Sequence, residues 1–462
     1  MEPKDSQYDA KRSSNASAPE RPLLPLSNRE TAAEKNVNSL AFLDGLRGIA
    51  ALIVYFHHHN TDFYGMDCDI MHPYGYEGRY HIAQWKFIQL FVAGGTAAVM
   101  VFFVLSGYVL SRGTFQMLQN GKSTSSIHQY LLNASLRRPI RLWLPPILVS
   151  LVVALAFHTP LRPVGAFIDY RRNVFLEVWT WFINLLETVN PFTGHGPFLQ
   201  AFMYDPPVWT MAYELNGSVV VYALLAICGP YLSIRHRMIA LAVSLVISFE
   251  YGHFSLVPFM LGMMLAQMDV ESLDKPYIDR MSERTRSLFL NGMFVVGWYL
   301  LSDLGPIDKK TNPWFGISPS WIPFYFYHNP NFATNIVGAF CMVYAALRLS
   351  WLQDLFNRAQ WLGRVSFALY LIHIPMIWFL AFRVRRFLGY PIPDNEKPRF
   401  YDNLLPIPDV GPMGFTTGLI AMQLICLPLN LALSEVVTRW IDETSVTVSK
   451  RFAARVMAKL HL

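Results

Sequence analysis

Residues 42–59 read FLDGLRGIAALIVYFHHH. From Ile49 to Phe56 this stretch is apolar or aromatic, yet Asp44 and Arg47 precede the run and His57, His58 and His59 follow it. An apolar helix of this kind belongs in lipid, where each ionisable group costs at least about 2.5–3.5 kcal/mol unless it faces protein or water. The stretch therefore reads as a membrane helix with a polar stripe turned toward other helices. At about 100° per residue, Arg47 and His58 fall within about 20° of one face, Asp44 lies within about 40° of His58, and His57 points about 80° away from Arg47. Along the axis Arg47 and His58 are roughly 16 Å apart, so they mark two depths of one stripe. A plainer reading has the three histidines simply ending the helix at the interface.

Outward from this helix the chain keeps the same character. Of its 462 residues 53% are apolar and only 15% charged, well below the roughly 25% charged residues of soluble proteins. That balance excludes disorder, collagen, coiled coil and a nucleic-acid binder relying on charge density, and leaves an all-α polytopic membrane protein. Ten apolar stretches approach the roughly 20 residues a membrane helix needs: 40–59, 87–110, 142–159, 207–228, 237–250, 253–269, 287–304, 333–349, 365–384 and 414–438. The expectation is a bundle of about ten transmembrane helices over 38–445, between a disordered tail at 1–37 and a C-terminal tail at 446–462. With both tails cytosolic, inner segments hold 25 Lys and Arg and outer ones 12, a bias of the positive-inside kind. The outer run Arg383-Val-Arg385-Arg386 goes against it. Outer segments 60–86, 160–206 and 385–413 are rich in aromatics and Pro and are expected to fold over one face of the bundle. Asn15, Asn133 and Asn216 begin N-x-Ser sequons, but this topology puts them in cytosol or membrane, where glycosylation is not expected.

Two other spans carry polar groups. The fourth, PPVWTMAYELNGSVVVYALL, holds Glu214 with Ser218 one turn on. Glu214 either pairs with a cation from another span or faces the same cavity as the histidines, as acid, base or orienting group. In the ninth, GRVSFALYLIHIPMIW, Ser366, Tyr370 and His373 stand at i, i+4 and i+7 on one face. His373 reads either as a hydrogen-bonded core residue or as a second imidazole of a site. On the cytosolic side NASLRRPIRLWLPP places Arg137, Arg138 and Arg141 at the start of the third span, as topogenic anchors or as a seat for an anion such as a diphosphate. There is no G-x-G-x-x-G, Walker loop, paired C-x-x-C or G-x-S-x-G. Consecutive histidines do not share a helix face, so no metal is expected. The four cysteines, three of them in apolar runs, are expected as thiols.

The order of these motifs resembles the membrane acyltransferase 3 family of multi-pass acyltransferases over nearly the whole chain after the tail. FLDGLRGIAALIVYFHH resembles its opening motif, an Arg and a His ten residues apart, matched by Arg47 and His58. VFFVLSGYVLS at 101–111, RRPIRLWLPP at 137–146, VWTMAYEL at 208–215 and SFALYLIHIP at 366–375 are similar to its later signatures. The extra histidines His57 and His59, and one residue more than usual between Arg141 and Pro145, depart from the pattern. The resemblance implies transfer of an acyl group, commonly acetyl from acetyl-CoA, to a hydroxyl of a glycan or small acceptor; the chain looks like the shorter fungal members, some of which act on lipophilic natural products. It carries the essential Arg and His onto Arg47 and His58, and the Glu of the fourth span onto Glu214.

The resulting expectation is an integral-membrane O-acyltransferase using acyl-CoA and no metal, whose partners are the bilayer and a hydroxyl acceptor and not nucleic acid. His58 would be the general base, with His57 and His373 as other catalytic candidates and Glu214 orienting the imidazole in the manner of a triad carboxylate. Arg47, Arg137, Arg138 and Arg141 would bind CoA phosphates, and Tyr370, Ser366 and Trp209 the acceptor. A proton-coupled secondary transporter is the alternative, because intramembrane Asp, Glu, His and Arg also mark ion pathways. A relative that only binds acyl-CoA or lipid is a third reading.

Overall fold

The computed structural model describes residues 40–166, 170–189, 202–303, 331–391 and 397–460. The proposed tail at 1–37, with Asn15, lies outside them. Every regular element among the described residues is helical.

The first helix, α1 (Ala41–Tyr64), runs more than a turn beyond the expected boundary at 59. All three histidines therefore lie inside the helix, and the reading in which they end it at the interface is corrected. Its Gly45 and Gly48 are there for contact. A methyl at Gly45 would run into the Phe356 carbonyl, one at Gly48 would sit 2.5 Å from the Gly363 nitrogen, and one at Gly363 would meet the Asp44 carbonyl. Small residues that bring backbones together are the usual device where lipid supplies no hydrophobic drive between helices.

The second expected span is broken. Phe87 has a left-handed backbone (φ 74°), followed by α2 (Ile88–Ala93), a break at Gly94, and α3 (Gly95–Gln119). Phe87 is held there by the Ser302 hydroxyl, which accepts from its N–H at 3.0 Å, and by the Trp298 indole, which donates to its carbonyl at 2.9 Å. The third expected span, 142–159, overlaps only the C-terminal half of a far longer helix, α4 (Thr124–Ala156), whose 33 residues contain Pro139, Pro145 and Pro146. At 1.5 Å per residue it extends roughly 50 Å, beyond the roughly 30 Å apolar layer. The segment 160–206, expected on the outer side, contains a helix of its own, α5 (Val174–Val189).

Helices α6 (Trp209–Cys228), α7 (Ile234–Glu250), α8 (Leu256–Val270) and α9 (Glu283–Leu301) follow. Then come α10 (Asn331–Arg348), the short α11 (Ser350–Asn357) and α12 (Gln360–Met376). A π turn at Ile377–Ala381 carries α12 on to Phe387. After the segment that follows Phe387, α13 (Thr417–Val437) passes through a second π turn, Thr438–Asp442, into α14 (Glu443–Lys459). α14 packs along α4 with Ser445, Ser449, Ala453 and Met457 turned inward at every fourth position.

Among the described residues five helices are long and apolar enough to cross a membrane: Gly95–Gln119, Thr124–Ala156, Pro206–Cys228, Gln360–Phe387 and Thr417–Lys459. The pair Asn331–Arg348 and Ser350–Asn357, bent by 96°, would add a sixth. This falls short of ten. Asp44, Arg47 and the histidines interrupt the apolar run of α1, and α7 and α8, at 17 and 15 residues, are shorter than a span usually needs. α3 and α12 are the most enclosed. α3 packs against α6, α8 and α10, and α12 against α13.

The arginines of the 383–386 run have specific partners. Arg385 donates to the Asp62 carbonyl at 2.9 Å, and Arg386, 2% exposed, makes a bidentate pair with Asp402 at 2.8 and 2.7 Å. Arg383 donates to the Phe379 carbonyl at 2.6 Å and to the Arg162 carbonyl at 3.0 Å. These charges tie the neighbourhoods of residues 62, 162 and 402 to the continuation of α12.

Candidate active site

The three consecutive histidines, 100° apart around α1, have three different surroundings. His57 points its Nδ1 at the Ala93 carbonyl, 2.9 Å away, and its ring covers Gly95, where a methyl would stand 2.7 Å from the imidazole. It thus braces the break between α2 and α3. His59 is fully buried, stacked on Tyr55 with centroids 4.0 Å apart, and neither of its nitrogens has a hydrogen-bond partner. His58 alone faces α12, with Nδ1 3.1 Å from Nε2 of His373.

The protons of this pair follow from its neighbours. His373 directs Nδ1 at the Tyr370 carbonyl, 2.6 Å away, and a carbonyl only accepts, so Nδ1 carries the hydrogen. Neutral His373 then presents a lone pair at Nε2. Nδ1 of His58 faces that lone pair and also the Val54 carbonyl at 3.0 Å. Two acceptors converge on one nitrogen, so His58 carries its hydrogen on Nδ1 and a bare lone pair on Nε2. Among the described residues Nε2 of His58 has no partner, and the side chain is only half-buried. His373 is fully buried.

Tyr370, a turn before His373, is buried and links α12 to the start of α6. Its hydroxyl donates to the Pro207 carbonyl at 3.1 Å and stands 2.9 Å from the Thr210 hydroxyl. Its ring lies 5.8 Å from that of His373. Ser366 donates to the Gly363 carbonyl within its own helix, at 2.8 Å. Trp209, half-buried, lies edge-on to Tyr213 with centroids 5.7 Å apart. Residues 58, 370 and 373 therefore meet, and Ser366 is occupied elsewhere.

A second cluster sits at the depth of Arg47. Glu214 accepts from Arg138 at 2.7 Å and from the Ser106 hydroxyl at 2.8 Å, and Arg138 also donates to Ser218 at 2.9 Å. The expectation that Glu214 orients the imidazole is thus corrected: its oxygens are taken by Arg138 and Ser106, and the group bonded to His58 is His373. The turn spacing that put Ser218 on the face of Glu214 serves to grip one guanidinium. Arg47 pairs with Asp44 at 3.3 Å, and its charge acts on Glu214, Arg141 and Asp442 together. The cluster thus gathers Arg47, Arg137, Arg138 and Arg141 around Glu214 and Asp442. Arg137 keeps a buried Nε without partner, and Arg141 is exposed with no carboxylate bonded to it. Positive charge is left over at this depth.

Ser106, Thr210 and Asp442 were not singled out from the sequence. Ser106 lies within the quoted VFFVLSGYVLS, but a serine in an apolar helix most often bonds its own backbone. Asp442 follows the last apolar stretch and carries no local signal. Among the described residues no group of three His, Cys, Asp or Glu could hold a metal ion, and the four cysteines are free thiols.

A family model described as an acyltransferase domain, that of the acyltransferase 3 family, matches residues 40–433. An O-acetyltransferase from Phomopsis amygdali, PaAT-1, is 26% identical over 97% of this chain and 90% of its own length. No solved structure matches the chain. With the match running from the start of α1 nearly to the end of α13, across both the histidine pair and the arginine cluster, the chain belongs to the acyltransferase 3 family.

Proposed function

We propose that this membrane acyltransferase moves an acetyl group from acetyl-CoA to a hydroxyl of a small lipophilic metabolite or a glycan. The observation that carries the reading is the bare Nε2 of His58, fixed by acceptors on both sides of Nδ1. That nitrogen removes the acceptor's hydroxyl proton as the oxygen bonds to the thioester carbonyl. The carbon–sulfur bond then breaks, and the imidazolium returns the proton to the departing CoA thiolate. While His58 is cationic, its Nδ1–H bond to neutral His373 becomes charge-assisted and shorter. His373 fills the orienting place that a carboxylate holds in a Ser-His-Asp triad.

Surplus positive charge at Arg47, Arg137 and Arg141 suits the CoA phosphates, whereas Arg138 is committed to Glu214. The eleven residues between Arg47 and His58 span roughly 16 Å of helix, a distance for a pantetheine arm to bridge between phosphate site and reaction centre. With both termini cytosolic the arginines face the cytosol, where CoA is supplied. In this reading all ten apolar stretches span, the shorter helices being accommodated by local thinning of the bilayer. Membership of an acyltransferase family weighs against the transporter.

The test is label transfer from radioactive acetyl-CoA by purified wild type beside His57→Ala, His58→Ala and Glu214→Ala, with matched thermal stability. Wild type should release labelled acetate or ester, His58→Ala should not, and His57→Ala should keep activity in proportion to its folded fraction. Binding of acetyl-CoA without any turnover would favour a binding-only relative, and neither binding nor turnover would favour a transporter.

A further inference from the structure

Asp205 is buried to 0% exposure, and neither of its carboxyl oxygens has a hydrogen-bond partner. It precedes the Pro206–Val208 turn that leads into α6. Its backbone is occupied, the N–H donating to Phe202 at 2.9 Å and the carbonyl accepting from Val208 at 3.0 Å, so the turn holds the residue in place without help from the side chain. Burying an unpaired polar group costs about 1–3 kcal/mol and an unpaired charge far more. Burial accordingly pushes this carboxyl well above the usual carboxylate range, leaving a neutral acid able to donate and to accept. A cap or a structural ion pair would have shown a partner.

Its position connects it to the histidine pair. Two residues on, the Pro207 carbonyl receives the Tyr370 hydroxyl at 3.1 Å. The other end of Tyr370, its backbone carbonyl, holds His373. Tyr370 thus joins the turn that carries Asp205 to the His58–His373 pair, its hydroxyl bonding the turn and its backbone carbonyl holding His373.

We propose that Asp205 is a recognition residue for a second hydroxyl of the acceptor, so that this enzyme selects polyhydroxylated lipophiles over simple alcohols. The inference rests on the acyltransferase reading above and adds the acceptor's class to it. A ligand hydroxyl supplies the partner that the protein withholds from Asp205, and an alcohol lacking that group leaves the acid unpaired, the arrangement that discriminates most strongly between analogues.

The experiment offers wild type and Asp205→Leu, each in lipid nanodiscs, an equimolar mixture of octyl β-D-glucoside and 1-octanol with labelled acetyl-CoA, and reads the ratio of the two esters in one sample. Wild type should favour the glucoside at least 10-fold and Asp205→Leu should bring the ratio near parity, with Asp205→Asn in between. Thermal midpoints are read in parallel. An unchanged ratio in Asp205→Leu, a lower midpoint with the ratio kept, or a wild type that prefers octanol or hydrolyses acetyl-CoA while esterifying neither alcohol overturns the proposal. A wild type that neither hydrolyses acetyl-CoA nor forms ester overturns the acyltransferase reading itself.

Discussion

Replacing His373 by Ala tests the imidazole pair most directly. The substitution removes the lone pair 3.1 Å from Nδ1 of His58 but leaves the Val54 carbonyl at 3.0 Å. His58 therefore keeps its tautomer and its bare Nε2. What is lost is one hydrogen bond that strengthens when His58 becomes cationic. Hydrogen bonds to charged groups contribute about 1.5–3 kcal/mol, which at about 1.36 kcal/mol per tenfold predicts a fall in kcat of roughly 10- to 150-fold. His58→Ala removes the base itself and should cost about 100- to 10,000-fold. The assay is acetyl-CoA turnover at saturating substrate, with circular dichroism and thermal midpoint to register the cavity left in a buried site. His373→Ala as active as wild type, or as inert as His58→Ala while fully folded, would refute the division of labour between the two rings.

Removing one partner of the Arg138–Glu214 pair should cost about 3–5 kcal/mol, because a largely buried charge is left uncompensated. Glu214→Gln and Arg138→Gln should each lower the thermal midpoint by more than half as much as the double variant. Gly48→Ala forces a methyl to within 2.5 Å of the Gly363 nitrogen and should cost about 1–3 kcal/mol in overpacking; Gly292→Ala, which meets nothing within 4 Å, should be neutral or stabilising by up to about 1 kcal/mol, as thermal unfolding in detergent will report. The Arg386 guanidinium holds the Asp402 carboxyl below the usual carboxylate range. A depressed pKa stabilises above the unfolded value and is lost only as pH falls through the folded one. The segment around Asp402 should accordingly resist limited proteolysis from neutral pH down to below about 4, and Asp402→Asn should be cleaved across that whole range.

The sequence by itself determined the class of the molecule and singled out candidate residues for its site. Apolar runs near the length of a bilayer can be counted without a fold, and an ionisable residue within such a run is conspicuous because lipid penalises it. Helical phase placed Arg47 and His58 on one face and turned His57 away from it, since 3.6 residues per turn is a property of one helix. It could not say which histidine meets a partner: His57, His58 and His59 have identical local propensity and differ only in facing Ala93, His373 or Tyr55. Nor could it say that α1 continues past the histidines, a matter of the contacts of Asn60 with Val92 and Tyr64 with Thr416. The partner of Glu214 was beyond reach for the same reason. Arg138 is 76 residues away in sequence and 2.7 Å away in space, and a lone carboxylate in an apolar helix looks alike whether it orients an imidazole or balances an arginine. Asp205 carried no signal because an acid before two prolines reads as a surface turn. Only the tertiary structure, with the Pro206–Val208 turn packed on α12, buries it, and burial without a partner gives it chemical meaning.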